Sequence, residues 1–282
     1  MAEPFGARLA AAMDDLGPLC VGIDPHASLL DAWGLGDDVA GVREFSLRVV
    51  EAVGGRVAAF KPQAAFYERH GSAGVAVLEE TIAAARAAGT LTIVDAKRGD
   101  IGSTMGAYAD AFLRDGSPLA GDALTVSPYL GFGSLTPAAE LAAATGRGLF
   151  VLCLTSNKEG YEVQHAVSPD GVSVAASMAA QAAVLNAGAS PMGSIGLVVG
   201  ATIGDAAGAT GTNLEAVNGP LLAPGVGAQG AGAAELAAVF GRARRQVLAS
   251  SSRGVLQAGP DATALRAAAD TAVSEARAAL RG

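Results

Sequence analysis

The sequence predicts an α/β protein folded as one (β/α)8 (TIM) barrel over residues 1–282. Three observations predict it. Short apolar runs recur along the chain. Ala-rich stretches with apolar residues at helical spacing lie between them. The runs end in charged, small or hydroxyl-bearing residues. Eight near-continuous apolar strands alternating with helices imply parallel strands covered by helices. No long polar linker splits them into two domains. An open, doubly wound sheet is the competing arrangement, but it would put a G-x-G-x-x-G turn after the first strand, where the chain reads GIDPHAS (22–28).

The strands are read in order as LCVGID (19–24), VAAFKP (57–62), LTIVDAK (91–97), ALTVSP (123–128), LFVLCLTS (149–156), IGLVVGAT (195–202), LLAPGVG (221–227) and QVLASSS (246–252). Helical spacing marks residues 42–53, 75–88, 105–113, 174–185 and 233–240, and a closing helix over 261–280 with Asp261 as its N-cap. Two segments exceed a minimal barrel, 157–171 and 203–220, and are read as elaborated loops. The N-terminal stretch MAEPFGARLAAAMDDLG carries Glu3, Arg8, Asp14 and Asp15 among its apolar residues. It reads as neither a signal peptide nor a membrane span.

Composition narrows the function classes. A formal net charge of −8 argues against a general nucleic-acid or anionic-membrane surface, while leaving room for a local basic pocket. Cys20 and Cys153 lie inside apolar runs without metal-ligand spacing. They read as buried thiols of a cytoplasmic protein. His26, His70 and His165 form no metal-binding pattern.

In a barrel the active-site face lies at the C-terminal ends of the strands. The chain delivers Asp24, Lys61, Asp95 and Lys97 there, with Asp100 just beyond. Ser127, Thr155 and Ser156 follow on strands four and five. Pro224 opens the segment PGVGAQGAG (224–232), and Arg253 follows the serines of strand eight. The glycines, Gln229 and Arg253 suit a phosphate. Asp95 and Lys97, two apart on a strand, face the same side. Asp100 is expected to join them through the turn at Gly99, and Arg98 to point away. Neighbouring carboxylates keep a lysine protonated, which makes it a fixed proton donor. An ion-pair network closing the barrel mouth is the plainer reading of these charges, and ordinary turns plus a surface arginine that of the phosphate segment.

The motifs GIDP (22–25), FKPQAAFYE (60–68), VDAKRGDIGST (94–104), SPYLG (127–131), TSN (155–157), APGVGAQG (223–230) and SSSRG (250–254) extend through most of the chain. With them the sequence resembles the orotidine 5′-phosphate decarboxylase family, in its longer bacterial form. The resemblance implies a cofactor-free and metal-free decarboxylation of orotidine 5′-monophosphate to UMP. Lys97 would donate the proton and Asp95 would face the substrate carboxylate. Asp24 and Lys61 would hold ribose hydroxyls, and Ser156 would contact the pyrimidine. Gln229 and Arg253 would bind the phosphate, beside Pro224. The resemblance also implies a homodimer in which Asp100, Ile101 and Thr104 reach into the partner's site. Two alternatives stay open at this level: a Mg²⁺-dependent keto-sugar phosphate decarboxylase sharing D-x-K-x-x-D, and a non-catalytic barrel that binds a phosphate ligand.

Overall fold

The structure, a computed structural model, describes residues 3–226 and 232–281. Eight parallel strands close into a barrel in sequence order. They are β1 (Leu19–Ile23), β2 (Ala59–Pro62), β3 (Leu91–Arg98), β4 (Ala123–Val126), β5 (Gly148–Leu154), β6 (Ile195–Val199), β7 (Leu221–Pro224) and β8 (Val247–Ser251). β8 pairs with β1 through Leu19↔Ala249 and Cys20↔Ser250, which removes every free edge.

The helices, in chain order, are α1 (Phe5–Leu16), α2 (Ala27–Ala32), α3 (Val39–Val53), α4 (Ala65–Glu68), α5 (Gly71–Ala87), α6 (Gly102–Leu113), α7 (Thr136–Thr145), α8 (Tyr161–Gln164), α9 (Val174–Leu185), α10 (Ala206–Ala209), α11 (Ala233–Phe240), α12 (Arg253–Leu256) and α13 (Ala262–Arg281). Asp261 does cap α13, accepting from the Ala264 N–H at 2.8 Å. The stretch 203–220 contributes only α10 and one short 3-10 turn between β6 and β7. The helix there is vestigial, as the loop reading of that stretch expects.

α1 closes the N-terminal end of the barrel. Phe5, Leu9 and Met13 recur at helical spacing and are buried against Cys20, Ala59, Ile93, Phe150 and Leu248. The Phe5 and Phe150 rings meet edge to face with centroids 6.0 Å apart. An alanine in place of Gly148 would put its Cβ 2.2 Å from the Phe5 ring, so the plug depends on that glycine. Cys20 and Cys153 are free and buried, and burial pushes both thiols up to about 12. Among the described residues no helix is long and apolar enough to cross a membrane.

Candidate active site

Alternate side chains along a barrel strand face the interior. Cys20, Ala59, Ile93, Ala123, Phe150, Leu222 and Leu248 belong to the apolar layer over α1. Two residues further along the strands, the inward positions are Lys61, Asp95, Thr125, Leu152, Pro224 and Ser250. These line a cleft of about 400 Å³ at the C-terminal end of the barrel. The change from apolar to polar within one strand step is what turns the top of the core into a site.

Asp95 is the hub. Its side chain is only 8% exposed and lies between two ammonium groups, Lys61 Nζ at 2.7 Å and Lys97 Nζ at 2.6 Å. Thr125 Oγ1 donates to it at 2.9 Å and Gln63 Nε2 at 3.2 Å. Each carboxylate oxygen thus takes two donors. Burial alone would neutralise such a group, yet the Lys61 and Lys97 charges prevail and hold it well below the usual carboxylate range. Burial likewise opposes the Lys61 charge, and Asp95 with Asp24 raises that lysine above its ordinary value. Lys97 differs from Lys61 in reach: its side chain is 44% exposed and faces the cleft. Its backbone is in the left-handed region, φ 47°, where a side chain costs about 1–3 kcal/mol.

Asp24 lies just past β1 on the cleft wall, where Ser252 Oγ donates to its Oδ2 at 2.6 Å. Gly22 makes this possible, because a Cβ there would lie 1.9 Å from Ser252 Oγ. The other oxygen, Oδ1, is buried and has no hydrogen-bond partner among the described residues. A buried acceptor left open costs free energy until a donor arrives.

The segments following β5, β7 and β8 complete the lining with Thr155, Ser156, Gly225 and the exposed Arg253 at the start of α12. Gln164 of α8 holds the β5 end: its Oε1 accepts the Thr155 N–H at 2.9 Å and its Nε2 donates to Thr155 Oγ1 at 2.6 Å. Gln229, with Gly227 and Gly230, lies outside the described residues. Ser127 is not part of the cleft lining.

The structure corrects one expectation drawn from spacing. Asp100 does not join Lys97 and Asp95 within the chain. Its Oδ1 accepts from the Ile101 N–H at 2.7 Å, and it is absent from the cleft. The cause lies at Gly99, which packs so closely on the Ser127 carbonyl that a Cβ would sit 2.4 Å from it. That contact leads the chain outward over β4. Ile101 is 62% exposed, and Thr104 is exposed on α6 beyond it. Lys61, on the strand adjacent to β3, pairs directly with Asp95. Arg98 does point away, pairing with Glu68 on the outer face and lying 5.3 Å from the Phe112 ring centroid.

Gln63 and Thr125 escape the sequence reading. Gln63 had a signal in its spacing, two residues after Lys61 and so on the same face of an extended chain; the bridge that pairs it with Asp95 is visible only in the structure. Thr125 is an ordinary strand threonine by composition. Among the described residues no three His, Cys, Asp or Glu side chains group to hold a metal ion.

The sequence model of the "Orotidine 5'-phosphate decarboxylase / HUMPS family" matches residues 17–268. The chain is 64% identical over 278 residues to the orotidine 5′-phosphate decarboxylase of Streptomyces coelicolor, covering 99% of both. It is 60% identical over 280 residues to that of Salinispora tropica, again covering 99% of both. Among solved structures, a Streptomyces avermitilis crystal structure shares 65% identity with a TM-score of 0.96, covering 100% of this chain and 97% of that one. The OMP decarboxylase of Leishmania donovani shares 32% identity with a TM-score of 0.78, covering 99% of this chain and 100% of that one.

Proposed function

The chain belongs to the orotidine 5′-phosphate decarboxylase family, and from that premise we infer that it converts orotidine 5′-monophosphate to UMP and CO₂ in pyrimidine biosynthesis. The single observation that carries the reading to chemistry is the Lys61–Asp95–Lys97 cluster at the base of the cleft.

The bond from C6 of the pyrimidine to its carboxylate breaks, and the electron pair remains on C6. The ring offers that pair little delocalisation, so the surroundings must stabilise it. Lys97 is the group for this task. Its ammonium is fixed at its tip by Asp95 and stands at the cleft surface, where it stabilises charge at C6 and then delivers the proton. Solvent returns the proton to Lys97. Asp95, held ionised, faces the substrate carboxylate and opposes the bound ground state, an opposition relieved as CO₂ departs.

Asp24 and Lys61 take the ribose hydroxyls. The open Oδ1 of Asp24 supports this, because a hydroxyl is a donor of the right size for a buried carboxylate oxygen. Ser156 contacts the base. Arg253, free of ion pairs among the described residues, binds the phosphate with Gln229. Phosphate binding far from C6 contributes to rate by drawing the surrounding loops onto the substrate.

The site is completed by a second copy of the chain, with Asp100, Ile101 and Thr104 entering the partner's cleft. Support comes from Ile101, Tyr129 and Leu130, which are 62%, 76% and 53% exposed on the adjoining loops after β3 and β4. An apolar group of this kind beside an active-site mouth suits an interface. The cytoplasm is the compartment that suits two unpaired thiols.

The test is direct. Purified protein dialysed against chelator is mixed with orotidine 5′-monophosphate, and ultraviolet absorbance is followed as UMP forms. Rapid conversion by the wild type is expected, with Lys97→Ala slower by about 10⁴-fold or more while still binding UMP. Near-normal turnover by Lys97→Ala would sink the assignment of the proton donor.

A further inference from the structure

β3 and β4 pair in register at Ile93↔Ala123 and Val94↔Leu124, and then again at Arg98↔Val126. Between those points β3 carries Asp95, Ala96 and Lys97, whereas β4 carries Thr125 alone. The strand therefore bulges where its two reactive residues lie, and Lys97 takes its positive φ inside that bulge. A bulged residue loses its ladder partner. The Lys97 N–H finds a substitute in the Thr125 hydroxyl, which accepts it at 3.0 Å. The same hydroxyl donates to Asp95 Oδ1 at 2.9 Å, the oxygen that also receives Lys97 Nζ at 2.6 Å.

These contacts form a closed ring. It runs from the Lys97 backbone to the Thr125 hydroxyl, on to the Asp95 carboxylate, and back through the Lys97 ammonium. The directions are fixed, since the backbone N–H can only donate and the ionised carboxylate can only accept. Thr125 is 1% exposed, so water does not compete for its hydroxyl. We propose that Thr125 is a positioning residue for this decarboxylation: one hydroxyl fixes both the root and the tip of Lys97 relative to Asp95. The proposal rests on Lys97 being the proton donor. Thr125 does not touch the reacting carbon; it sets where the ammonium stands when charge develops there. It also holds a strained backbone that would otherwise relax toward ordinary strand geometry.

Valine matches threonine in shape and removes both hydrogen bonds; serine keeps the hydroxyl. The experiment measures kcat, KM, UMP affinity and exchange of the C6 proton of UMP for deuterium in heavy water. Thr125→Val is expected to lower kcat and the exchange rate together by about 100-fold, the scale of a misplacement near 1 Å. UMP affinity is expected to stay within about threefold, since no binding group is lost. Thr125→Ser is expected to recover most of both rates. Three results would overturn the proposal: kcat of the valine variant within a few-fold of wild type, equal losses of kcat and UMP affinity, or serine no better than valine. Should the valine variant fail to fold, Thr125→Ala against Thr125→Ser decides the same point by the same criteria. A wild type inactive on orotidine 5′-monophosphate would instead remove the functional reading itself, before any variant is compared.

Discussion

On the side of the cleft built by β2, β3 and β4, each reactive group is held by another side chain of the same chain. Asp95 receives four hydrogen bonds there, and both lysines end on it. On the side built by the loops after β5 and β8, Ser156 and Arg253 are exposed, and Arg253 has no ion pair among the described residues. The first side is assembled before any substrate arrives. The second keeps its polar groups for the substrate. The contrast follows from what each must do. Stabilising a developing charge works best with dipoles and charges that need not reorganise. Grasping the far end of a substrate adds to rate only through contacts that form on binding. Changes on the first side should therefore reduce kcat and stability. Changes on the second should depend on what substrate is offered.

The largest effect tests whether the assembled side is complete in one chain. Lys97→Ala and Asp100→Asn are each expected to be nearly inactive. If Asp100 serves the partner's site, mixing the two under exchange conditions gives mixed dimers with one intact and one doubly defective site. Random pairing then restores about a quarter of wild-type activity, from two-fold symmetry alone. No recovery in a mixture shown to exchange subunits would place Asp100 outside the shared site.

Next is the cost of opening the Lys61–Asp95 pair. Asp95→Asn leaves a buried ammonium without its nearest anion and should lower stability by about 3–5 kcal/mol, as read by chemical denaturation. The pH dependence gives the sign. In the wild type Asp95 is held low and Lys61 high, so their contribution is present from about pH 4 to about pH 10. It falls away below that window as Asp95 protonates and above it as Lys61 deprotonates. In Asp95→Asn, burial, the largest influence on Lys61, is left opposed chiefly by Asp24, and Lys61 is expected to fall below its ordinary value. The unfolded chain then binds more protons than the folded one, so stability should rise from pH 8 to pH 10 while the wild type stays level. Parallel curves would mean that Lys61 is not sustained by Asp95.

The two sides also differ in how well the sequence discloses them. Strand ends were legible because an apolar run closing in Asp, Lys or Ser marks a buried strand arriving at the polar rim of a barrel, and 174–185 and 233–240 match α9 and α11 residue for residue. α7 was not legible, since TPAAELAAAT is small and apolar on nearly every face. α1 was seen only as a polar-interrupted stretch, because its role as a plug depends on what Phe5 meets. The bulge at Lys97 was hidden for a different reason. A two-residue spacing puts Asp95 and Lys97 on one face of a regular strand, and the same pair meets in the irregular strand by another route. Thr125 becomes visible only when that irregularity is known. The outward course of Asp100 was hidden likewise, being set by the Gly99 contact with Ser127.

On the grasping side, Arg253→Ala should weaken kcat/KM for orotidine 5′-monophosphate by about 2–3 kcal/mol, the scale of a charge-assisted hydrogen bond. Turnover of orotidine, which lacks the phosphate, should be unchanged. Equal losses on both substrates would move Arg253 from phosphate binding to a general structural role and erase the distinction between the two sides.

The smallest effect concerns a place where the grasping side is tied down at the end of β5. Gln164 holds Thr155 by both its backbone N–H and its hydroxyl, so the segment 157–171 fixes the residue next to Ser156. Nothing else among the described hydrogen bonds holds the Thr155 N–H. Gln164→Ala should therefore free the β5 end without touching the charged cluster. KM for orotidine 5′-monophosphate should rise by about tenfold, the scale of one or two neutral hydrogen bonds, with kcat within a few-fold of wild type. Thermal stability should change little, because the contact is only half-buried. A fall in kcat with KM unchanged would mean that the two sides are coupled through β5, and that this loop helps set the geometry at Lys97 rather than the hold on the base.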